Sequence, residues 1–225
     1  MSDTIQPGLT FLVVADTSGS MLEQPITSAQ SALSEICYSL REIQRETGIP
    51  IFLGVLSFHE TMRWECEPTR GPDFPIVRLA VRKKQNSRFY PVTSYRCLYD
   101  GLSDAVSSEV FAQRAEDPLY VCLITDGCPV DEDTFLPVAT NTLAWGALSD
   151  AQRYVLLVGS GSPDETVQNT LPFVEYDRKR IFSGEEVPRL LTMVRMEAEK
   201  LSGEDRTRQD IFSKFGGIYQ GEDFR

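Results

Sequence analysis

The sequence predicts an α/β protein with a doubly wound, mostly parallel β-sheet and helices on both faces of that sheet. Short apolar runs rich in β-branched residues, which are typical of strands buried on both faces, alternate along the 225 residues with stretches of helical periodicity. This alternation indicates βαβ units, whose crossover helices cover the two sides of one sheet. The hydrophobic content of 41% and the charged content of 24% are ordinary for a chain with a packed core.

The first part of the chain predicts two buried strands with a helix between them. Residues 11–15 and 51–58 are short apolar runs bounded by turn residues. Apolar residues recur at steps of three and four over residues 25–46, which predicts an amphipathic helix that Gly48 ends. Residues 61–65 can pair back on the second strand as an edge hairpin.

Residues 66–95 form the least regular part of the sequence. Five basic residues without an acid between them stand in this segment: Arg78, Arg82, Lys83, Lys84 and Arg88. Alternating apolar residues over 77–81 allow a short strand there. Two interpretations of the basic residues stand: a solvated loop, and a docking patch for an acidic or phosphorylated segment of a partner.

Strands and helices continue to alternate after residue 97. The predicted strands are short apolar runs, and the predicted helices carry apolar residues at steps of three and four. Helices are predicted over residues 98–115, 131–148, 163–174 and 185–201, and strands over residues 119–125, 154–158 and 180–182. We therefore predict one domain over residues 1–201 and a tail over residues 202–225, whose glycine pair and scattered aromatic residues favour docking over a free segment.

Charge, hydropathy and cysteine usage exclude several classes of protein. With 22 basic and 33 acidic residues, the formal net charge is −11, which argues against a nucleic-acid-binding protein. No run approaches ~18 consecutive apolar residues, and the apolar run after the polar N-terminus is too short for a signal peptide, so no membrane association is expected. The five cysteines are odd in number and include no Cys-x-x-Cys pair, which indicates reduced thiols and a cytoplasmic location.

Two predicted strands end in residues that are typical of a ligand site at the carboxyl edge of a doubly wound sheet. The first strand leads into Asp16-Thr17-Ser18-Gly19-Ser20-Met21, a tight turn with one carboxylate and two serine hydroxyls, and Asp126 ends a later strand. Such oxygen donors suit a hard divalent cation such as Mg²⁺. Taken singly, Ser18, Ser20 and Asp126 are better explained as turn and cap formers, but their combination favours a ligand site.

These strand ends resemble motifs of the von Willebrand factor A (vWA) domain family. Asp16-Thr17-Ser18-Gly19-Ser20 matches the family's D-x-S-G-S motif, and Leu123-Ile124-Thr125-Asp126-Gly127 is similar to its later hydrophobic run followed by T-D-G. The resemblance covers residues 9–200. Within the family, the sequence most resembles the small bacterial TerY-like group of tellurite-resistance proteins, because Asp126-Gly127-Cys128-Pro129-Val130-Asp131 is similar to that group's T-D-G-x-P-x-D.

The resemblance implies a six-stranded sheet with one antiparallel edge strand. It also implies a metal-ion-dependent adhesion site (MIDAS) at the top of that sheet, with bound Mg²⁺ or Mn²⁺. In such a site Ser18 and Ser20 would be direct ligands, Asp16 and Asp126 would act mostly through water, and a carboxylate of the partner would fill the open coordination position.

The family's remaining ligand is a threonine that precedes a helix, and this position aligns with Arg96. An arginine cannot ligate a metal ion. Three interpretations follow: Thr93 or Ser94 supplies the oxygen from a rearranged loop, the site lacks a full ligand set, or Arg96 replaces the metal by pairing with Asp16 and Asp126.

The sequence therefore predicts a non-enzymatic module that binds a protein partner through this adhesion site. By resemblance to the TerY-like group, a Ser/Thr kinase and a PP2C-type phosphatase of a bacterial stress or conflict system are the expected partners. Two alternatives stay open: Mg²⁺-dependent hydrolysis of phosphoesters, and a metal-free scaffold. The single histidine, His59, lacks the partners that a Ser-His-Asp or Cys-His catalytic arrangement requires.

Overall fold

The computed structural model describes residues 8–84, 87–132, 134–159 and 163–216. Six strands lie in these residues: β1 Leu9–Asp16, β2 Ile51–Phe58, β3 Met62–Arg70, β4 Leu119–Thr125, β5 Gln152–Leu157 and β6 Ile181–Ser183. They form one sheet in the order β3-β2-β1-β4-β5-β6. The β3 strand is antiparallel to β2, and the other neighbouring pairs are parallel. The predicted doubly wound, mostly parallel six-stranded sheet with one antiparallel edge strand is thus confirmed.

Helices cover both faces of the sheet. They are α1 Gln24–Thr47, α2 Tyr95–Val106, α3 Glu109–Ala112, α4 Leu136–Leu143, α5 Pro163–Thr170 and α6 Val187–Gly216. Alternate side chains of β1 point to opposite faces, so that Phe11 and Val13 pack with α1 and α6, whereas Leu12 and Val14 pack with α2 and α4. Burial on both faces explains the continuous apolar runs, and each such side chain contributes ~1.5–3 kcal/mol to stability.

The register of the parallel strands defines the edge at which polar residues gather. Asp16 of β1 lies opposite Phe58 of β2, and Ala15 lies opposite Ile124 of β4. Because the three strands run in the same direction, the loops that follow them emerge together at one edge, which we call the top of the sheet. The strand order reverses at β1, and ligand sites of open α/β sheets lie beside such a reversal.

The predicted strand at residues 77–81 is wrong, because these residues have no regular secondary structure. A glutamine of α1 takes up the backbone groups that a neighbouring strand would have bonded. The Gln30 side chain donates from Nε2 to Val77 O at 3.1 Å and accepts at Oε1 from Leu79 N at 2.8 Å. The alternation of apolar residues reflects partial burial against α1 rather than pairing in a sheet.

Several helices differ from their predicted lengths. The predicted helix at 98–115 begins earlier and is broken into α2 and α3, where the Ser108 hydroxyl donates to Ala105 O at 2.6 Å and so competes with continued helical bonding. The predicted helix at 131–148 is shortened to α4, which has Pro137 in its first turn. The last helix continues past Leu201 to Gly216, while residues 217–225 of the predicted tail lie outside the described residues; docking of the tail stays a prediction.

A buried arginine joins β5 to the segment that follows α5. The Arg153 side chain is fully buried, and its guanidinium donates to Phe173 O at 2.8 Å and to Leu148 O. It also pairs with the carboxylate of Glu175, which lies nearer the surface. The guanidinium thus replaces the water that these two carbonyl oxygens would otherwise need.

Among the described residues, no helix combines the length and the apolar character that crossing a membrane requires.

Candidate metal centre at the top of the sheet

The loop between β1 and α1 places two hydroxyl groups above the carboxylate that ends β1. Asp16 Oδ1 accepts a hydrogen bond from Ser18 N at 2.9 Å, which folds the loop back over the strand end. The Ser18 and Ser20 hydroxyl oxygens then lie 3.0 Å apart. Asp16 and Ser18 are fully buried, whereas Ser20 is exposed, so the cluster opens to solvent on the Ser20 side.

A second loop, residues 91–94, brings Thr93 into the same cluster. Its Oγ1 lies 2.6 Å from Ser18 Oγ, 3.3 Å from Asp16 Oδ2 and 3.5 Å from Ser20 Oγ. The loop is fixed to the first one because Gly19 N donates to Pro91 O at 2.8 Å. A β-carbon at Gly19 would lie 2.8 Å from Tyr90 Cβ, so the close approach of the two loops requires glycine at this position.

The third contribution comes from the end of β4. The Thr125 hydroxyl donates to Asp16 Oδ2 at 2.9 Å and orients that carboxylate from below. Asp126 follows, and its Oδ1 accepts from Cys128 N at 3.1 Å within the turn. Gly127 has φ +75°, and a β-carbon there would lie 2.8 Å from Thr166 Cβ, so this turn also depends on glycine.

The electrostatics of the cluster favour a cation. The pKa of Asp16 is raised from 3.8 to about 6, because burial and, to a smaller extent, the nearby Asp126 carboxylate outweigh the hydrogen bonds from Ser18 and Thr125, which lower it. Among the described residues, no arginine, lysine or histidine forms an ion pair with Asp16 or Asp126. Two neighbouring carboxylates, one of them fully buried, thus have no protein cation to compensate them.

The donor set also indicates which kind of cation fits. In the described part of the chain, no three His, Cys, Asp or Glu side chains lie together in a way that could hold a metal ion. A cation here would depend on the hydroxyl oxygens of Ser18, Ser20 and Thr93 together with carboxylate oxygens. Hard cations such as Mg²⁺ and Mn²⁺ accept oxygen-only sites of this kind, and the residues present therefore fit the expected metal.

Arg96 does not take the place that its alignment with the ligand threonine suggests. The residue lies in the first turn of α2, its side chain is 65% exposed, and its Nε is 3.7 Å from Asp100 Oδ2 on the same helix. The interpretation in which Arg96 replaces the metal by pairing with Asp16 and Asp126 is therefore wrong. Ser94 is also outside the cluster, because it caps α2 by accepting from Cys97 N at 3.1 Å. Of the three candidates, Thr93 alone reaches Ser18.

Asp131 positions the Thr93 loop, a role that the sequence analysis did not assign. Its carboxylate accepts from Tyr95 N at 2.9 Å, from Arg96 N at 2.8 Å and from Ser94 Oγ at 2.9 Å, and so caps the start of α2. The preceding residue, Val130, donates its backbone N–H to Thr93 O at 3.0 Å. The signal for this role was present in the sequence as the final aspartate of Asp126-Gly127-Cys128-Pro129-Val130-Asp131.

His59 has a local structural role. Its Nδ1 accepts from Glu60 N at 2.7 Å and from Thr61 N at 3.3 Å, and so closes the turn between β2 and β3. Burial is the main reason why the pKa of His59 is lowered. Within the described residues, these imidazole hydrogen bonds reach backbone N–H groups and neither a serine hydroxyl nor a cysteine thiol.

The six-stranded fold is that of vWA-like proteins. Comparisons with protein-family models and with the sequences of characterised proteins found no match. Solved structures do match. They include the pilus adhesin SpaC from Lactobacillus rhamnosus GG in its open conformation, with 11% identity over 86% of this chain and a TM-score of 0.62.

Two further structures have the same fold. An aerotolerance-related membrane protein from Bacteroides fragilis is 15% identical over 86% of this chain, with a TM-score of 0.57. Proximal thread matrix protein 1 from the mussel byssus, whose MIDAS motif is occupied by zinc, is 12% identical over 86% of this chain, with a TM-score of 0.53. The chain spans 30% of the adhesin, 46% of the mussel protein and 100% of the Bacteroides chain. At these identities, the likeness is one of fold.

Proposed function

We propose that this protein is a vWA-type interaction module that binds a divalent cation at the top of its sheet and uses it to hold a carboxylate of a protein partner. One observation carries the proposal: the hydroxyl oxygens of Ser18, Ser20 and Thr93 converge beside the buried carboxylate of Asp16, with which no cationic side chain of the described residues forms an ion pair. A buried carboxylate is costly unless a counter-charge compensates it, and neutral oxygen donors converge on the same place. Both features favour a metal ion.

Each residue of the site has a distinct task in this proposal. Ser18, Ser20 and Thr93 present hydroxyl oxygens as direct ligands. Asp16 and Asp126 supply negative charge and bind the metal mostly through water. A bound cation would supply a Lewis-acidic position that a partner carboxylate can occupy, and the exposed side of Ser20 leaves room for that approach.

The proposed cation is Mg²⁺ or Mn²⁺, because the donors are oxygens without imidazole or thiolate. Among the described residues near the site, the only exposed thiol is that of Cys128, and partial burial together with the surrounding carboxylates raises its pKa to about 11. It is therefore protonated at neutral pH and is a poor ligand for a soft metal. The mussel protein with zinc at its own MIDAS motif makes Zn²⁺ a necessary competitor in any test.

Calorimetric titration of the full chain with Mg²⁺, Mn²⁺ and Zn²⁺ tests this proposal. The double variant Ser18→Ala with Ser20→Ala is expected to lose Mg²⁺ and Mn²⁺ binding. A matched control is Ser31→Ala with Ser34→Ala, since these exposed serines of α1 bond only their own helix and an adjacent glutamine. Unchanged Mg²⁺ affinity in the first variant would reject the site.

The finer assignment concerns the partner and the cellular setting. We propose that the module acts in the cytoplasm, in a bacterial stress or conflict system, and joins a Ser/Thr kinase and a PP2C-type phosphatase; the T-D-G-x-P-x-D resemblance supports this assignment. Co-purification from the native host in Mg²⁺ and in EDTA tests it. Recovery of a kinase or phosphatase in Mg²⁺ alone is expected, and recovery that is equal in EDTA would contradict a metal-bridged complex.

A further inference from the structure

The basic segment lies beside the candidate metal centre. A cavity of about 230 Å³ is lined by Thr17 and Pro91, which belong to the two loops of the metal centre. The basic residues Arg63, Arg82, Lys83 and Lys84 also line it, as do His59, Ala80 and Glu60, whose carboxylate pairs with Lys84. Because Thr17 stands between Asp16 and Ser18, the cavity and the metal centre share the β1–α1 loop as a wall.

The basic side chains stand on a backbone that is held in place. Gln30 bonds the backbone at Val77 and Leu79, and the Leu79 side chain is buried. Further along, Lys84 N donates to Phe89 O at 3.0 Å, which closes a turn. The backbone that carries the basic side chains is thus hydrogen-bonded on both sides of Arg82 and Lys83.

Two of these cations form no ion pair with a carboxylate in the part of the chain that the structure describes. The Lys84 ammonium is 2.7 Å from Glu60 Oε1, and Arg63 pairs with Glu65. Arg82 makes no ion pair within the described ranges, and the Lys83 ammonium lies over the Tyr90 ring, 5.5 Å from its centroid. Both residues are exposed. In a protein with a net charge of −11, two uncompensated cations at the mouth of a cavity are available for an external anion.

Exposed apolar residues flank the same face. Phe89, which follows the basic residues, is 76% exposed, and Val130, which is bonded to the Thr93 backbone, is 64% exposed. Aromatic and aliphatic groups next to basic ones are the composition of a protein interface. The remaining negative charge of the chain repels an acidic partner from other faces and so directs it to this one.

From these contacts we propose that the cavity between the β1–α1 loop and residues 80–84 binds acidic side chains of the protein partner, next to the carboxylate that the metal holds. The partner segment is thus acidic at several positions. Its contacts with Arg82 and Lys83 fix its position relative to the metal centre. This inference rests on the proposed function, in which the metal holds one carboxylate of the partner. It adds a second contact, between the basic residues of the cavity and further acidic side chains of the same partner.

Fluorescence anisotropy with a labelled peptide of alternating glutamate and glycine tests the inference on the full chain. In Mg²⁺, the double reversal Arg82→Glu with Lys83→Glu is expected to raise the peptide Kd about tenfold and to reduce its dependence on salt. Arg178→Glu with Lys179→Glu is the matched control: both residues are exposed, the charge change is equal, and they precede the parallel strand β6 at the opposite edge of the sheet.

An equal effect of the two double variants overturns the inference, and so does tighter binding of a single-stranded oligonucleotide than of the peptide. Calorimetry with Mg²⁺ keeps the two proposals apart. The reversal of Arg82 and Lys83 is expected to leave Mg²⁺ binding intact. A wild-type protein that does not bind Mg²⁺ refutes the proposed function, whereas peptide binding that resists the reversal in a protein that binds Mg²⁺ refutes only the present inference.

Discussion

Replacing Asp16 with asparagine is expected to stabilise the metal-free protein and to abolish its response to Mg²⁺. The Asp16 side chain is fully buried and accepts hydrogen bonds from Ser18 N and Thr125 Oγ1, and no cationic side chain in the described ranges forms an ion pair with it. An asparagine keeps the oxygen that accepts from Ser18 N and removes the charge. Its amide group can donate to the hydroxyls of Thr93 and Thr125, which are able to accept.

The expected gain follows from the pKa of Asp16. A rise from 3.8 to about 6 corresponds to ~3 kcal/mol at about 1.4 kcal/mol per pH unit. An acid whose pKa is higher in the folded state favours folding while it is protonated. The free energy of unfolding of the metal-free protein therefore falls as the pH rises from about 4 through about 6, and the full ~3 kcal/mol is lost above that range.

Urea unfolding in EDTA, followed across this pH range, measures the effect. Above about pH 7, Asp16→Asn is expected to be more stable than the wild type by ~2–3 kcal/mol, and the difference should vanish below about pH 4. Asp104→Asn, which changes an exposed carboxylate of α2 in the same way, is the control and should change little. A gain that is absent, or that does not depend on pH, would refute the reasoning.

Three further predictions concern Thr93, Asp131 and Arg153. Thr93→Ala should weaken Mg²⁺ binding at least about tenfold, whereas Arg96→Thr should leave it unchanged; calorimetry in which only Arg96→Thr alters the affinity would contradict the assignment of Thr93 as a ligand. Asp131→Asn should weaken Mg²⁺ binding by about 10–100-fold through the Thr93 loop, and the variant is checked by calorimetry and by far-UV circular dichroism, which must show an intact fold. Arg153→Met should lower the free energy of unfolding by about 1–3 kcal/mol for each of the two carbonyl oxygens, Phe173 O and Leu148 O, that lose their donor. A urea midpoint close to that of the wild type would contradict this last expectation.

The strands and the strand-end motifs were predictable because their signals are local. Residues 11–15 and 119–125 are buried on both faces of the sheet, and burial of this kind leaves a continuous apolar run in the sequence. Asp16 and Asp126 follow such runs directly. Parallel pairing then brings both to the top of the sheet without any further information.

The strand predicted at residues 77–81 was wrong because the deciding contact is distant in sequence. Apolar alternation in Val77 and Leu79 is a local signal, but the backbone of these residues bonds Gln30 on α1. A side-chain amide that replaces a neighbouring strand leaves no trace in the periodicity of the segment. Only the packing of the segment against α1 reveals it.

The ligand near α2 was ambiguous for a related reason. Arg96 aligns with the threonine of the family motif, yet Ser94 caps α2 and places Arg96 in its first turn, with its side chain exposed. Because Ser94 is the cap, Thr93, which directly precedes it, faces Ser18. Asp131 fixes this arrangement from another loop, and an alignment of short motifs cannot represent that contact.

Anomalous diffraction from crystals of the full chain soaked in Mn²⁺ tests the central claim most directly. A single strong peak is expected at the top of β1, within direct coordination distance of the Ser18, Ser20 and Thr93 hydroxyl oxygens and near the carboxylates of Asp16 and Asp126. The peak should disappear in crystals of the Ser18→Ala, Ser20→Ala double variant. The absence of a peak at this position in the wild type, or a peak held by other side chains, would contradict the account.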